Sequence, residues 1–382
     1  MELTHGELLR YSRHIQLSEV GTTGQELLKK ASVLVVGAGG LGCPALQYLT
    51  AAGVGRIGII DYDRVDETNL QRQVLYGSSS LGAYKAVAAQ ARLQDLNPLS
   101  TIEAYPEKLT ARRAVELFDK YDLIVDGSDN FETRYVVNDA AVISGKPFVY
   151  GAIYRFQGQV SVFNYRGGPT YRCLYPSPPP EGSVPNCAEV GVLGVLAGII
   201  GTQQANEALK IILGLEGVLS GTVLIYDSRS TETTRLAIRR KEDAAARAQE
   251  GLALARKAVK EQRSESPAAA CSSAGEDDFE IDPPQLEELL ASGQIQMIDI
   301  RGPEEEPRLE ELQGLHLPME MILEQPESLS DVKQPVLYCT SGTRSRFVVQ
   351  LLRDNHHMQH VRHLRGGIGA WLRHRAAAGE IR

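Results

Sequence analysis

An α/β protein with a doubly wound, Rossmann-like parallel sheet, followed by a smaller α/β domain, is the fold that this 382-residue sequence predicts. Short apolar segments alternate with helical ones, a glycine-rich turn follows the first of them, and the composition changes near residue 240. Alternation of this kind gives a parallel sheet with helices on both faces and ligands at the carboxyl ends of the strands. The predicted organisation is a large domain over 1–240, a helical then flexible linker over 241–280, and a second domain over 281–382.

The elements of the large domain follow from its apolar runs and their punctuation by glycine, proline and polar residues. Segment 241–263 is rich in Ala, Lys, Arg and Gln and predicts a helix, whereas 264–278 is rich in Ser, Ala, Pro and Gly and predicts a mobile linker. The predicted elements are strands at 31–36, 56–61, 123–126 and 147–152, helices at 43–52 and 132–144, and an apolar helix that begins near Glu189.

Composition excludes several classes of protein. The chain is 43% hydrophobic and 23% charged, which is ordinary for a globular protein and excludes global disorder. Its net charge of −8 argues against a nucleic-acid partner. The longest apolar run, about 190–201, is too short to span a bilayer, and no signal-peptide pattern opens the sequence. Five cysteines without a Cys-x-x-Cys pair fit a reducing compartment, so we expect a cytoplasmic protein without a membrane partner.

A nucleotide-binding pattern follows the first predicted strand. The strand runs into Gly-x-Gly-x-x-Gly at 37–42 and then into a helix, so that backbone N–H groups can approach a phosphate. Asp61 lies 19 residues beyond Gly42, at the end of the next strand, where a carboxylate can hold ribose hydroxyls. This pattern predicts an adenine nucleotide but does not separate NAD from ATP, and glycines used only for strand–helix packing are the alternative.

Three further residues favour a triphosphate when they are considered together. A triphosphate needs fixed cations and a metal ligand, and Arg72, Lys85 and Asp129 could supply them. Any one of them alone would more often lie on a solvated surface.

As a set, these residues strongly resemble the MoeB/ThiF family, the bacterial relatives of ubiquitin-activating enzymes, over about residues 5–235. Several separate motifs occur in the family's order. They are 37–42, Asp61, 69–73 (Asn-Leu-Gln-Arg-Gln), Lys85 and 128–134, with 11–13, 158–159 and 171–173.

The resemblance implies an enzyme that binds MgATP and adenylates the C-terminal Gly-Gly carboxylate of a small ubiquitin-like protein, releasing pyrophosphate. It implies that Asp61 holds the ribose, that Asp129 coordinates Mg²⁺, and that Arg13 reaches the nucleotide of a partner subunit, hence a homodimer. Arg134 and Asn138 are four residues apart on one helix and therefore share a face. Arg134 could help to shape the acceptor pocket, and packing on the helix surface is the alternative. Asn69, Arg72 and Lys85 are expected to hold the phosphates. The full set of expected ATP-binding residues is Gly37, Gly39, Gly40, Gly42, Asp61, Asn69, Arg72, Gln73, Lys85, Asp129 and Asn130.

The cysteines of this region carry separate expectations. Cys187 follows a Pro-, Gly- and Ser-rich stretch just before the apolar helix, where a helix N-terminus favours thiolate. The resemblance implies a crossover-loop cysteine that takes the acyl group or forms an acyl-disulfide; a merely exposed thiol is the alternative. Cys43 is expected to fill the core, and Cys271, in the linker, to be a bystander.

No structural zinc is expected. Many relatives hold zinc on two Cys-x-x-Cys pairs, but here only Cys173 stands at the first pair and no cysteine occurs at 240–250. The alanine-rich helix after Arg240 is expected to replace the metal's bracing role.

The C-terminal domain contains a second candidate nucleophile. A short strand, 336–338, ends at Cys339, and the loop that follows leads into a helix at 346–352, an arrangement that favours an anion on the sulfur. Arg344 is expected to add positive charge. Four residues separate Cys339 from Arg344, one fewer than in the Cys-x5-Arg loop of protein-tyrosine phosphatases, and this tighter loop suits a persulfide better than a phosphate.

Together with 297–301, 314–318 and 364–371, the Cys339 loop resembles a rhodanese domain over about 281–382. The resemblance implies sulfur transfer through a persulfide on Cys339; an inactive rhodanese-like fold is the alternative. Asp299 and Arg301 are expected to be structural. The expected persulfide cradle is Thr340, Ser341, Gly342, Thr343 and Arg344, and a solvated turn rather than a metal site is expected for His356, His357, His360 and His363.

The two halves together predict an ATP-dependent adenylyltransferase–sulfurtransferase that converts a carrier's C-terminus into a thiocarboxylate, the plan of molybdopterin-synthase sulfurylases and their fused relatives. The carrier could serve molybdopterin, thiamin, amino-acid or tRNA-thiolation pathways, and the sulfur donor could be a cysteine desulfurase or thiosulfate. Two other functions stay open at this point: a nicotinamide-dependent oxidoreductase fused to a rhodanese, and a non-catalytic scaffold that binds a ubiquitin-like tail.

Overall fold

The computed structural model describes residues 2–179, 191–264, 279–312, 314–330 and 332–377. These residues fall into two compact units: a large one from 2–178 and 191–264, and a smaller one that contains the described residues from 279 onward. Each unit contains its own sheet.

The large unit is built on a mixed sheet with the described strand order β3-β2-β1-β4-β5-β6-β7-β8. Strands β1 to β5 are parallel, and Val36 pairs with both Ile60 and Asp126, so three strands end at one edge. The strands are β1 Ser32–Val36, β2 Arg56–Ile60, β3 Thr101–Tyr105, β4 Leu123–Asp126, β5 Phe148–Tyr154, β6 Gln157–Phe163, β7 Thr222–Asp227 and β8 Thr233–Ala237.

The predicted parallel sheet is correct only for the first five strands. Strands β5 to β8 pair antiparallel, and the first two form a hairpin because only two residues, Arg155 and Phe156, connect β5 to β6. Arg155 takes a φ of +53°, the left-handed conformation that such tight hairpins use.

Helices cover both faces of this sheet, as predicted. Val33 and Val35 of β1 pack into one buried cluster and Leu34 and Val36 into another, because successive side chains of a strand point to opposite faces. The helices are α1 His5–Arg10, α2 Ser12–Ile15, α3 Gly21–Lys30, α4 Gly42–Ala51, α5 Lys85–Leu96, α6 Ala111–Phe118, α7 Phe131–Ile143, α8 Tyr171–Leu174, α9 Gly194–Leu213 and α10 Ala244–Ser264.

The start of the apolar helix differs from its prediction. Helix α9 begins at Gly194, because Val192 forms a β-bridge with Arg155 and the backbone of Leu193 is extended. Glu189 itself lies outside the described residues. Among the helices that the structure describes, none is long and apolar enough to cross a membrane.

The smaller unit is a parallel sheet with the order β11-β10-β12-β13-β9. Helices lie on both of its faces, over two buried clusters. Its elements are β9 Glu280–Ile281, α11 Pro283–Ser292, β10 Gln296–Asp299, β11 Leu315–His316, α12 Met319–Glu324, β12 Pro335–Tyr338, α13 Thr343–His356, β13 Arg362–Leu364 and α14 Gly367–Ala377.

Candidate active sites

The glycine loop between β1 and α4 is shaped to receive a phosphate. Gly37 has a φ of +87°, and a Cβ added to Gly42 would overlap the carbonyl oxygen of Gly37, so both positions require glycine. At Gly39 an added Cβ would meet only Gln73, at 3.7 Å, so this side of the loop is open. Because α4 begins at Gly42, the partial positive charge of its N-terminus reaches the loop.

Asp61 lies against this loop, at the end of β2. Its carboxylate accepts hydrogen bonds from the backbone N–H of Ala38 (2.7 Å) and of Asp63 (2.8 Å). Burial raises the pKa of Asp61. The carboxylate is therefore fixed beside the loop, in the position expected for a ribose ligand.

The structure adds Asp63, which the sequence analysis missed, to this site. The buried ammonium of Lys85 donates to Asp63 Oδ2 at 2.9 Å, and Asp63 itself is half-exposed. Asp63 fixes the Lys85 ammonium near Asp61. Asp63 could have been found from the sequence by its position two residues after Asp61.

The 69–73 segment also lies beside the glycine loop. The aliphatic stem of Arg72 lies 3.6 Å from where a Cβ on Gly40 would be, and its guanidinium donates to the carbonyl of Thr68 at 2.9 Å. Asn69 accepts from the backbone N–H of Asp66 (3.3 Å) in a short helical turn, so its side chain shapes this segment.

The turn after β4 carries Asp129 and Asn130. Gly127 packs on the glycine loop, since a Cβ there would lie 3.0 Å from the nitrogen of Gly42, and this packing places the turn beside the loop. Asn130 caps α7 by accepting from the N–H of Thr133 (2.8 Å), and its amide lies 3.5 Å from the exposed carboxylate of Asp129.

Arg134 contacts the backbone of this turn. Its guanidinium is buried, donates to the carbonyl of Ser128 (3.2 Å) and lies 5.6 Å from the centre of the Tyr150 ring, and its part in the acceptor pocket stays a prediction. Asn138 is also buried, and it accepts from the N–H of Tyr171 at 2.8 Å.

Arg13 and the cysteines Cys43, Cys187 and Cys271 are not among the residues that make these contacts. The Arg13 side chain is exposed and lies 3.4 Å from Gln16 Oε1. Cys43 is fully buried, as expected for a core residue, and burial raises the pKa of its thiol to about 12. Cys187 and Cys271 lie outside the described residues.

Backbone hydrogen bonds surround Cys173, the remaining cysteine of the zinc-binding pattern. Its sulfur accepts from the N–H groups of Thr170 and Lys241, both at 3.3 Å, and so joins the two segments on which relatives carry zinc. The described residues include no cluster of three or more His, Cys, Asp or Glu side chains suited to a metal. The absence of zinc stays a prediction.

A buried ion pair and helix α10 lie next to Cys173. Arg172 donates from Nε and Nη2 to the two carboxylate oxygens of Asp139, at 2.7 and 2.8 Å, and its guanidinium stacks on Tyr135. Gly251 of α10 lies directly on this pair, where an added Cβ would overlap Asp139 Oδ2 and Arg172 Nη2.

Replacing Gly251 by alanine should therefore destabilise the large unit by about 2–4 kcal/mol, because the methyl group forces a buried, hydrogen-bonded ion pair apart. The urea midpoint of the large unit measures this effect. Gly198→Ala in α9 is the matched control, since nothing lies within 4 Å of its added Cβ, and it should be neutral or stabilising. Equal midpoints for the two variants would contradict the role assigned to α10.

The second candidate site surrounds Cys339, directly after β12. Cys339 is fully buried, and its sulfur accepts from the backbone N–H of Gly342 (3.1 Å) and lies 3.7 Å from the hydroxyl of Ser345. Gly342 has a φ of +87°, and α13 begins at the next residue. The loop thus directs a backbone N–H, a hydroxyl and a helix N-terminus at the sulfur. Ser345, directly after the predicted cradle, was missed.

The charge of this cradle differs from the prediction. The Arg344 guanidinium donates to both carboxylate oxygens of Glu305, at 2.8 and 2.7 Å, so its positive charge is offset within the loop. Thr340 lies between them, 3.3 Å from the Glu305 carboxylate, while Ser341 and Thr343 share a hydrogen bond of 3.1 Å.

Other expectations for this unit are confirmed in part. Arg301 is fully buried and pairs with Asp299 at 2.8 Å, as expected for structural residues. His356, His357 and His360 are exposed, but His363 is not part of a solvated turn. It lies in β13, is buried, and has Glu280 at 3.3 Å, because its position in the strand points inward.

Fold and sites together define a nucleotide-binding α/β protein joined to a domain with a buried cysteine whose sulfur accepts a backbone hydrogen bond. Comparison with known families gives the same division: residues 11–247 match the ThiF family and residues 282–374 the rhodanese-like domain. The chain belongs to the ThiF family and, within it, to the adenylyltransferase/sulfurtransferases, enzymes that carry a C-terminal rhodanese-like domain. This membership favours adenylation over the two alternative functions.

The similar proteins cover one or both domains. The chain is 56% identical to the sulfur carrier protein adenylyltransferase of Thermus thermophilus, over 63% of this chain and 90% of that protein. It is 41% identical to the probable adenylyltransferase/sulfurtransferase MoeZ of Mycobacterium tuberculosis, over 97% of this chain and 94% of that protein. A crystal structure of E. coli MccB with ATP has the same fold over 61% of this chain and 72% of its own, with a TM-score of 0.52 and 21% identity.

Proposed function

We propose that this enzyme adenylates the C-terminal Gly-Gly carboxylate of a ubiquitin-like sulfur carrier and then converts it into a thiocarboxylate with sulfur from a Cys339 persulfide. The observation that carries the proposal is the presence, on one chain, of an open phosphate loop with fixed cations and of a buried cysteine that accepts hydrogen bonds on its sulfur. One half activates a carboxylate as an electrophile, and the other supplies a nucleophilic sulfur.

In the adenylation step, the carrier carboxylate attacks the α-phosphate of ATP and pyrophosphate leaves. Negative charge grows on the equatorial oxygens and on the leaving group, and preorganised cations stabilise it. Lys85 is suited to this role because Asp63 fixes its buried ammonium, and Arg72 and the N-terminus of α4 lie beside the same loop.

The residues present fit a magnesium ion that accompanies the nucleotide. Mg²⁺ usually takes one or two carboxylates and completes its shell with phosphate oxygens and water, so a cage of protein ligands is not needed. Asp129 offers an exposed carboxylate next to the glycine loop and would hold the ion, which neutralises phosphate charge when bound. Arg13, exposed near the N-terminus, would reach the nucleotide of a second subunit in a homodimer.

In the sulfur step, the terminal sulfur of the Cys339 persulfide attacks the acyl-adenylate carbonyl. A carbon–sulfur bond forms, and AMP leaves with the electron pair of the broken carbon–oxygen bond. The product is an acyl-disulfide between carrier and Cys339. Attack by the Cys187 thiolate on the Cys339 sulfur then releases the thiocarboxylate and leaves a Cys339–Cys187 disulfide, which a dithiol reductant must reopen.

The proposed division of labour follows the predicted boundaries, with adenylation in 1–240 and sulfur transfer in 281–382. The covalent link between the two keeps the persulfide at a high local concentration near the acyl-adenylate. Molybdopterin, thiamin or tRNA-thiolation pathways in the cytoplasm would each use such a carrier.

Pyrophosphate–ATP exchange with Mg²⁺ tests the adenylation half and identifies the carrier. We expect exchange with one member of a panel of Gly-Gly-ending carriers, because only a bound carboxylate can form the acyl-adenylate. The same carrier without its last glycine is the matched control and should give no exchange. Exchange that is independent of the carrier's C-terminus would contradict the proposal.

A further inference from the structure

The Arg344–Glu305 pair is the feature of the sulfur-transfer unit that the proposed function leaves unused. Both side chains are largely buried, with exposures of 7% and 16%, and the two hydrogen bonds that join them are bidentate. Glu305 also accepts from the N–H of Gly302 at 2.9 Å, and the Arg344 guanidinium holds the pKa of Glu305 below its usual range. The carboxylate is therefore charged and held in place.

This geometry determines what charge the cradle presents to an incoming sulfur donor. Arg344 lies within the predicted cradle, and its Nη2 is 3.4 Å from the hydroxyl of Thr340, the neighbour of Cys339. With Glu305 in place, the pair has no net charge. Arg346, the next arginine of α13, lies 3.4 Å from Glu280 and is likewise balanced by a carboxylate.

We propose that Glu305 determines donor specificity: by neutralising Arg344 it disfavours dianionic thiosulfate and leaves a thiol persulfide as the preferred sulfur donor. The inference rests on the proposed sulfur-transfer function. With either donor, the Cys339 thiolate attacks the sulfane sulfur and a new S–S bond forms. The old S–S bond breaks, and its electron pair leaves with sulfite or with the donor thiolate. The two donors thus differ mainly in the charge brought into the cradle, and an Arg344 that Glu305 does not neutralise would attract the dianion more strongly.

Glu305→Gln tests this role in the full chain, because the amide keeps the shape of the carboxylate and loses only its charge. The KM for thiosulfate, with cyanide as acceptor, should fall by about tenfold and gain a steeper salt dependence. The kcat/KM for glutathione persulfide should stay within about twofold, because its S–SH group accepts the attack of the Cys339 thiolate in its uncharged, protonated form. Glu304→Gln, an exposed neighbour with the same change in net charge, is the matched control and should behave like the wild type.

The proposal is overturned if Glu305→Gln leaves both donors unchanged, if it shifts both equally, or if Glu304→Gln gives the same gain for thiosulfate. Near-ultraviolet circular dichroism of each variant verifies that the unit is folded. Failure of the proposed function would look different: sulfur transfer in the wild-type protein would then not depend on Cys339.

Discussion

Replacing Cys339 by serine should abolish sulfur transfer, by at least about 10⁴-fold, as expected when the nucleophile that carries the transferred group is lost. A serine oxygen cannot hold a sulfane sulfur, although it would receive the same hydrogen bond from Gly342. Carrier-dependent pyrophosphate–ATP exchange should stay within about twofold of wild type, because Cys339 belongs to a different unit from the nucleotide loop. Both rates can be measured on one preparation.

Cys271→Ser is the matched control for this prediction, since it makes the same chemical change in the linker cysteine. It should leave both activities unaltered. Sulfur transfer that survives in Cys339→Ser, or is lost in Cys271→Ser, would contradict the assignment of the persulfide to Cys339.

Replacing Asp129 by asparagine should lower carrier-dependent pyrophosphate–ATP exchange by about 10²- to 10³-fold, as for loss of one group that stabilises transition-state charge. The exposed carboxylate belongs to the turn that packs on the glycine loop, and an amide oxygen is a much weaker ligand for Mg²⁺. Sulfur transfer from a persulfide to cyanide should remain unchanged.

Glu132→Gln provides the matched control for Asp129. Glu132 is an exposed carboxylate three residues further along, in the first turn of α7, and it pairs with Lys108 at the surface. This variant should keep both activities. Loss of both activities in either Asp129→Asn or Cys339→Ser would rule out two separate sites.

Local sequence patterns predicted the nucleotide half of the fold well. Strands β1, β2 and β4 are short and apolar except for one terminal residue each, and they end at one sheet edge, so the apolar pattern predicts their burial directly. Strands β6 to β8 were not predicted, and β8 in particular is exposed along its length and has no apolar period that would indicate a strand.

The groups that bind the site residues were harder to predict than the site residues themselves. Asp63 pairs with Lys85 across 22 residues, and Glu305 with Arg344 across 39, and no spacing rule links such partners. The sequence of the Cys339 loop predicted a positively charged cradle. Only the fold shows that the Glu305 carboxylate offsets the charge of Arg344. His363 likewise was read as part of a polar stretch, whereas its place in β13 buries it.

The central claim is that one chain makes a thiocarboxylate by joining adenylation to sulfur transfer, and the mass of the carrier tests it most directly. The carrier found by the exchange assay would be incubated with the enzyme, MgATP, a persulfide donor and a dithiol. Intact-protein mass spectrometry should then show one carboxylate oxygen replaced by sulfur, dependent on ATP, on Asp129 and on Cys339. A carrier that gains sulfur without ATP, or that is adenylated by persulfide-loaded enzyme yet gains no sulfur, would contradict the account.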